Sequence, residues 1–564
     1  MSSDTISSVV SVDIMSRFLK LLEKELSDPH KQIKTGTGDW EAQVSYTEFC
    51  QIFNRRIQAR PWVIVYCRTE RDVQNTYRLA ISFNFEVRIR AGGHDHEGEC
   101  TGTNTILIDV SQMDWVHVDP KTKIASIGPG NIFRKLTTEL ANEDVMLPHG
   151  TCATVGIAGF TMGGGWGPWT RKKGMCCEWL VGANIVLGNG ERISVDVQGN
   201  KVPDLLWALK GGGGMSYGLV TEFRIQTFEL PEELIRFQLT WNPYPKGIGD
   251  QPKAVYPTIK VLKAWENVIN SPDTPKLIGT NLMINALPAS LAETNVDSIS
   301  QNCVMYGYWE GNEKSLKTFI NNWFADVPQY DLEIDPHHGG TGTDTKEAFG
   351  DYLMSNWARE SHNKILENRH RMGENVKLPP RFLNLLAEGK PLPPDYDDPA
   401  PHKITSRLVE KQGLGESGHR ALIRSLISDL LFEGNRDLGL FTYVTLGAIT
   451  GNYYRENPNG TNSAFPYKDK LYTIQYQTWW NETTAQKEEL QDNYVYVRTN
   501  RALDWMQVAR DFDIPNTSGS FISFKDSSIP TKTYFAESYK DLIKIKEKYS
   551  KDPYNHLRIR KSII

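Results

Sequence analysis

The chain has 564 residues, 39% of them hydrophobic and 23% charged, with a formal net charge of −5. That length exceeds what one simple core accommodates, so more than one domain is expected. The mild acidity gives no basic surface for nucleic acid, and no run approaches the ~20 apolar residues that a membrane helix needs.

The first residues, MSSDTISSVVSVDIMSRFLKLLEKEL, lack a basic start, and Asp4 and Asp13 interrupt their apolar positions. They do not read as a secretory signal, so a cytoplasmic location is expected. Ile14, Phe18, Leu21 and Leu22 recur at helical spacing and predict an amphipathic helix docked on the body. Short β-branched runs then predict strands at PWVIVYC (61–67), NTILIDV (104–110), TKIASIG (122–128), ANIVLGNG (183–190) and GLVTEFRI (218–225). Helical patterns over 70–81 and 131–141 lie between them. After residue 232 the character changes. Polar helices and a Pro/Asp-rich stretch (390–403) alternate with strands at IGTNLMINAL (278–287), MYGYWEG (305–311) and LYTIQYQTWW (471–480), and a helix over 537–549 closes the chain. The fold class expected is α+β.

Seven cysteines (50, 67, 100, 152, 176, 177 and 303) are scattered without the spacing of a disulfide framework, which suits a reducing compartment. Adjacent Cys176 and Cys177 read as packing residues, and His337–His338 as part of a loop. Glycosylation sequons begin at Asn459, Asn481 and Asn516 and matter only on export.

Glycines cluster at 92–93, 128–130, 150–167 and 211–214, beside the strand ends. Glycine at that density lets a backbone approach a ligand and turn N–H groups toward anionic oxygens, a pyrophosphate above all. Two phosphate motifs are missing: there is no GxxxxGK[ST], and GPGNIF (128–133) lacks the third glycine of GxGxxG.

Two nucleophiles stand inside these loops, His94 in RAGGHDHEG (90–98) and Cys152 in HGTCATVGIAGFTMGGGWG (149–167). Three readings compete for His94. It is a structural histidine, or a metal ligand with His96, Glu97, Glu99 and Cys100, or the attachment point of a flavin. The spacing fits no standard zinc pattern, so no metal is expected.

These loops resemble those of the berberine bridge enzyme-like flavoproteins of the vanillyl-alcohol oxidase superfamily. There, R-x-G-G-H bonds the flavin 8-methyl carbon through its histidine, and G-x-C-x-T-V-G-x-x-G-x-x-x-G-G-G bonds C6 through its cysteine. The resemblance continues through PWVIVYCRTERDV (61–73), SIGPGN (126–131), LLWALKGGGGMSYGLVTEF (205–223), FPYKDKLYTIQYQTWW (465–480) and YFAESYKDLIKIKEKYSKDPYNHLRIRKSI (534–563). Residues ~240–435 resemble the family poorly.

The resemblance implies a two-domain PCMH-type FAD-binding fold whose antiparallel sheet roofs the flavin. It divides the chain into a helical extension (1–39), an FAD-binding part (40–232), a substrate domain (233–509) and a C-terminal return to the FAD-binding part (510–564). It implies covalent FAD attachment at His94 and Cys152. Arg90, Ala91, Gly92, Gly93 and Asp95 would meet the cofactor from the first loop, and Gly128 and Gly130 from the pyrophosphate turn. Thr154, Val155, Gly156, Gly159, Gly163, Gly164 and Gly165 would do so from the second loop, with Val220 and Asn555 beyond. Valine at 155 goes with O2 as acceptor, where a leucine goes with a dehydrogenase.

The sequence also departs from the family. The tyrosine after the GGG run is Trp166 here, and a second tyrosine segment reads GSFISF, with Phe521 and Phe524. The lysine that helps ionise it is Thr473, while the strand glutamine, Gln475, is kept. Tryptophan and phenylalanine accept no proton. Either another group serves, or the substrate needs no strong base, as an amine with its lone pair would not. Candidate replacements are Gln475, Thr473 and Gln477 on one strand face, Tyr306, Tyr308 and Glu310, and His149 and His96. The expected function is oxidation of an alcohol or amine carbon of a small natural product with FAD and O2. The expected partners are that substrate and O2, without nucleic acid or membrane, for a monomer or homodimer. The alternatives are a dehydrogenase of the same fold and a non-catalytic, metal-binding protein.

Overall fold

The helix Val12–Glu25 opens the described chain and seats Phe18 and Leu22, both fully buried, against the helix Glu70–Ser82. Ile14, expected on the same face, is 45% exposed; the docking stripe continues through Leu26 instead. This computed structural model describes residues 12–243, 256–338, 399–435, 438–480, 493–552 and 554–563. Asn481 and most of the Pro/Asp-rich stretch lie outside those residues.

The helix Glu70–Ser82 starts where Thr69 accepts from the Asp72 amide and Asp72 reaches back, a capping box. It covers a four-stranded sheet. The strand Ile106–Asp109 runs parallel to Val63–Tyr66 on one side and to Val87–Arg90 on the other, and Ile33–Thr35 pairs antiparallel at the edge. Ile106, Leu107 and Ile108 are fully buried, as central strands covered on both faces require. A five-stranded antiparallel sheet follows, with Gly218–Gln226 at its centre between Ile124–Ile127 and Leu180–Leu187.

The second half is built on eight antiparallel strands. Their order is Asp331–His338, Glu233–Trp241, Cys303–Glu310, Leu277–Asn285, Leu440–Ala448, Tyr472–Trp480, His402–Val409 and Thr517–Ser518. One face carries a core of Trp265, Leu282, Val444, Ile474 and Trp505 beneath the helices Thr258–Asn270 and Asn493–Asp511. The other face turns toward the glycine loops. His337 and His338, expected in a loop, pair in register with Leu234 and Glu233.

The end of the chain returns to the first half. The Val87 amide donates to the His556 carbonyl at 2.9 Å, Leu557 packs in the core of the four-stranded sheet, and the Ile563 amide donates to Ser216 Oγ at 3.1 Å. No helix among the described residues is long and apolar enough to cross a membrane.

Candidate active site

The first glycine loop leaves its sheet at Arg90. The Arg90 guanidinium donates to Asp109, its neighbour in register, at 2.5 Å and to the Phe49 carbonyl at 2.8 Å. Burial works against its charge, but Asp109 outweighs that and holds Arg90 above its usual range. Arg90 therefore anchors the loop from behind and does not itself line the cleft.

Beyond Arg90 the two loops meet backbone to backbone. A Cβ on Gly92 would lie 2.6 Å from the Gly156 nitrogen, so this crossing admits only glycine. The His94 ring stacks on Phe53 (centroids 3.6 Å apart, planes 23°), and its Nε2 lies 2.8 Å from Thr154 Oγ1. A residue of the second loop thus holds the nucleophile of the first. Cys152 lies two residues before Thr154, and both His94 and Cys152 line one cleft.

The cleft lies between the glycine loops and the eight-stranded sheet and has a volume of about 300 Å³. Pockets for small-molecule ligands run from roughly 300 to 1,000 Å³. Ala91, Gly93, Asp95, Val155, Gly159, Gly163 and Val220 all reach it. A Cβ on Gly159 would meet nothing within 4 Å. Ser523 Oγ and Asn281 Oδ1, both at the wall, are buried without a hydrogen-bond partner. Buried polar atoms are costly unless satisfied, so the wall fits a large ligand rich in donors and acceptors, as FAD is.

Several residues expected at the cofactor also have a role in packing. A Cβ on Gly128 would strike the Met113 carbonyl at 2.1 Å, and one on Gly130 the Val110 carbonyl at 2.2 Å. These glycines let the turn 110–113 approach, and Pro129 between them reaches the cleft. Gly164 and Gly165 (φ +113 and +86) bend the chain so that Trp166 comes back to the wall. Asn555, in a left-handed conformation (φ 52), braces the C-terminal turn through its amide to the Asp552 carbonyl and stays off the wall.

Residues 61–196 match the FAD binding domain, and residues 520–564 match the berberine and berberine-like domain. The chain is an FAD-linked oxidoreductase similar to the berberine bridge enzyme-like proteins. Berberine bridge enzyme-like 17 of Arabidopsis thaliana is 24% identical over 534 residues, covering 92% of this chain and 88% of its own. The FAD-linked oxidoreductase pytB of Aspergillus terreus is 28% identical over 293 residues, covering 51% and 32%. Two solved structures share the fold. BBE-like 1 of Physcomitrella patens has a TM-score of 0.70 and 20% identity, covering 97% and 99% of the two chains. The glucooligosaccharide oxidase of Acremonium strictum, with its 6-S-cysteinyl, 8α-N1-histidyl FAD, has a TM-score of 0.70 and 19% identity, covering 96% and 99%.

Berberine bridge enzyme-like proteins carry FAD, and the sheet face in this chain supplies the rest of the cleft. Register places Met283, Thr445 and Gln475 side by side across three strands, all at the wall, with Tyr306 and Asn281 one row along. Gln477 takes hydrogen bonds from Trp479 Nε1 (2.8 Å) and the Tyr443 hydroxyl (3.2 Å) and donates to Thr445 Oγ1 (2.9 Å), which fixes its amide. Trp166, Phe521 and Phe524 make an aromatic end to the cleft.

Four candidates for a proton acceptor stand away from it. Thr473 lies on the expected face but beneath Trp166, where Gly447 leaves room for the indole. Tyr308 is buried behind the wall beside Trp169 (6.0 Å). His149 is fully buried there as well, and burial pushes it down to about 4. Glu310 pairs with Lys172.

Sequence reasoning missed His402. Its Nε2 lies 2.8 Å from His96 Nδ1, its Nδ1 lies 2.7 Å from the Ala400 carbonyl, and its ring stacks on Trp479 at 3.9 Å. It also missed Lys525, whose ammonium sits 2.7 Å from Asp95 and 3.5 Å from Glu99 at the cleft. Neither residue belongs to a local motif.

Proposed function

We propose that this protein is an oxidase with FAD bonded covalently to His94 and Cys152. It removes a hydride from an alcohol or amine carbon of a small natural product and returns the electrons to O2. The reading rests on the placement of two nucleophilic side chains on separate glycine loops in one cleft, with His94 clamped by Thr154 of the Cys152 loop. The covalent linkage described for the glucooligosaccharide oxidase is of the same two types. Within this reading residues 40–232 and 510–564 bind FAD, 233–509 form the substrate domain and 1–39 are a helical extension.

FAD supplies the two-electron acceptor. The chain supplies orientation and a dry, aromatic setting. Trp166, Phe521, Phe524 and Trp479 favour a flat, apolar substrate over a sugar. Gln475 and Tyr306 face the same space and orient its polar end. Val155, at the wall, leaves O2 a path that a longer side chain would narrow.

The test is the visible spectrum of acid-precipitated protein, for wild type, His94→Ala, Cys152→Ala and the double variant. Flavin should stay in the first three pellets and leave the fourth. A colourless wild-type pellet under a yellow supernatant overturns covalent attachment. Reoxidation of dithionite-reduced protein by O2, with peroxide release, tests the oxidase half. Slow reoxidation in air with fast reoxidation by a quinone overturns it in favour of a dehydrogenase.

A further inference from the structure

We infer that His96 accepts the substrate's proton in this cleft and that His402 positions it for that task. The inference rests on the oxidase reading above and names the base that reading lacks, since each tyrosine position of the family holds an aromatic residue without a hydroxyl.

The hydrogen-bond chain settles which nitrogen is the acceptor. The Ala400 carbonyl only accepts, so His402 Nδ1 carries the hydrogen that lies 2.7 Å from it. The Nε2 of neutral His402 then has a lone pair, which receives the hydrogen of His96 Nδ1 across 2.8 Å. Neutral His96 is left with its lone pair on Nε2, on the far side of the ring from His402, and the ring lines the cleft. His402 is itself immobilised. Trp479 covers its face, and Asn54 grips its backbone by accepting from the His402 amide (3.2 Å) and donating to its carbonyl (3.1 Å). Asn54 also donates to the His96 carbonyl at 2.7 Å, so one side chain ties both histidines.

Burial keeps this pair neutral. Burial pushes His96 down to about 4; Asp95 beside it works the other way, and Lys525 adds to the fall. His402 is lowered further by burial and by His96, with His94 and Arg56 adding to it. Glu97, on the same loop, is engaged by Arg56 and Arg560. A weakly basic imidazole suffices for the reaction. As hydride leaves an alcohol carbon for FAD, the O–H bond becomes that of a protonated carbonyl, far more acidic than the starting alcohol, whereas an amine leaves as its iminium and needs no base. The C–H bond breaks with its electron pair going to FAD, and the alcohol's proton goes to His96 Nε2. The heteroatom electrons close the new double bond.

Two measurements on the flavin-loaded protein decide it. Long-range proton–nitrogen NMR spectra of histidine-labelled protein should show His96 neutral with its hydrogen on Nδ1 throughout the neutral range. In His402→Phe that tautomer should lose its dominance. A hydrogen on His96 Nε2 in wild type overturns the inference. Binding of benzyl alcohol and of benzyl methyl ether, read from the flavin difference spectrum, should favour the alcohol by about tenfold, the worth of one hydrogen bond. His96→Phe should abolish the preference while its flavin spectrum stays that of wild type. An unchanged preference in His96→Phe, or no binding of the alcohol to wild type, also overturns it. Acid precipitation of the same samples separates the two readings. A preference that survives in His96→Phe with flavin still in the pellet removes His96 and leaves the covalent oxidase standing; a preference lost in His96→Phe with flavin released to the supernatant does the reverse.

Discussion

Trp166 occupies the space that a side chain at Gly447 would fill. A Cβ there would lie 2.7 Å from Trp166 Cζ2 and 3.0 Å from Thr473 Oγ1, and the indole Nε1 donates to the neighbouring Ala448 carbonyl at 2.8 Å. The glycine on the sheet and the tryptophan on the loop are therefore one device. It joins the two halves of the cleft and moves Thr473 out of reach of a substrate.

Gly447→Ala should push the indole off the sheet and break its hydrogen bond. Overpacking of this kind costs about 1–3 kcal/mol, read as a lower melting temperature with changed tryptophan fluorescence. Adding Trp166→Phe should recover most of the loss; a melting temperature that stays low in the double variant would show the strain lies elsewhere.

Thr154→Val removes the hydrogen bond to His94 Nε2 at nearly constant shape. Covalent loading through His94 should slow several-fold while Cys152 is spared. In the Cys152→Ala background, added Thr154→Val should leave more flavin in the acid supernatant. Equal retention with and without Thr154→Val would deny the clamp any part in attachment.

Arg90→Met leaves Asp109 as an unpaired carboxylate at 2% exposure. Removing one partner of a buried pair costs about 3–5 kcal/mol, and the first glycine loop loses its anchor. Chemical denaturation should show that loss together with incomplete flavin loading. Arg90→Met with Asp109→Asn should recover part of the stability.

Acid should act through Asp95. Burial raises its pKa, but Lys525 and the Glu99 amide outweigh that, so the folded value lies below the ordinary 3.8. A depressed carboxylate contributes stability that is fully present above its unfolded pKa and is lost as pH falls through the folded one. Lys525, raised by Asp95 and Glu99 against burial, loses its share only at extreme alkaline pH. Asp95→Asn should lower stability at neutral pH and flatten its fall below about pH 4; an acid limb as steep as that of wild type would place the sensitive group elsewhere.

Strands were legible wherever the periodicity was local. PWVIVYC, NTILIDV and LYTIQYQTWW fold as Val63–Tyr66, Ile106–Asp109 and Tyr472–Trp480, because each run of β-branched or aromatic residues is bounded by its own turn signals. The loops that hold His94 and Cys152 were legible for the same reason. Gly128 and Gly130 show the limit. Their place in a turn was clear, but what crowds them is a carbonyl brought in from residues 110–113, which no pattern at 128–130 encodes. His402 is the larger case. It meets His96 across 306 positions of chain, and a pairing made by tertiary register leaves no trace near either residue. Ile14 failed in the opposite way, since its spacing fits the helix but its side chain is left 45% exposed.

The return of the last residues to the first sheet orders events in time. Val87 receives its partner from His556, and Ser216 receives the amide of Ile563, so the half of the cofactor cleft that is made first is closed by residues made much later. A ribosome releasing this chain from its N-terminus holds an unfinished nucleotide site until translation has passed residue 563. Chains stalled before residues 556–563 leave the glycine loops without their closing segment.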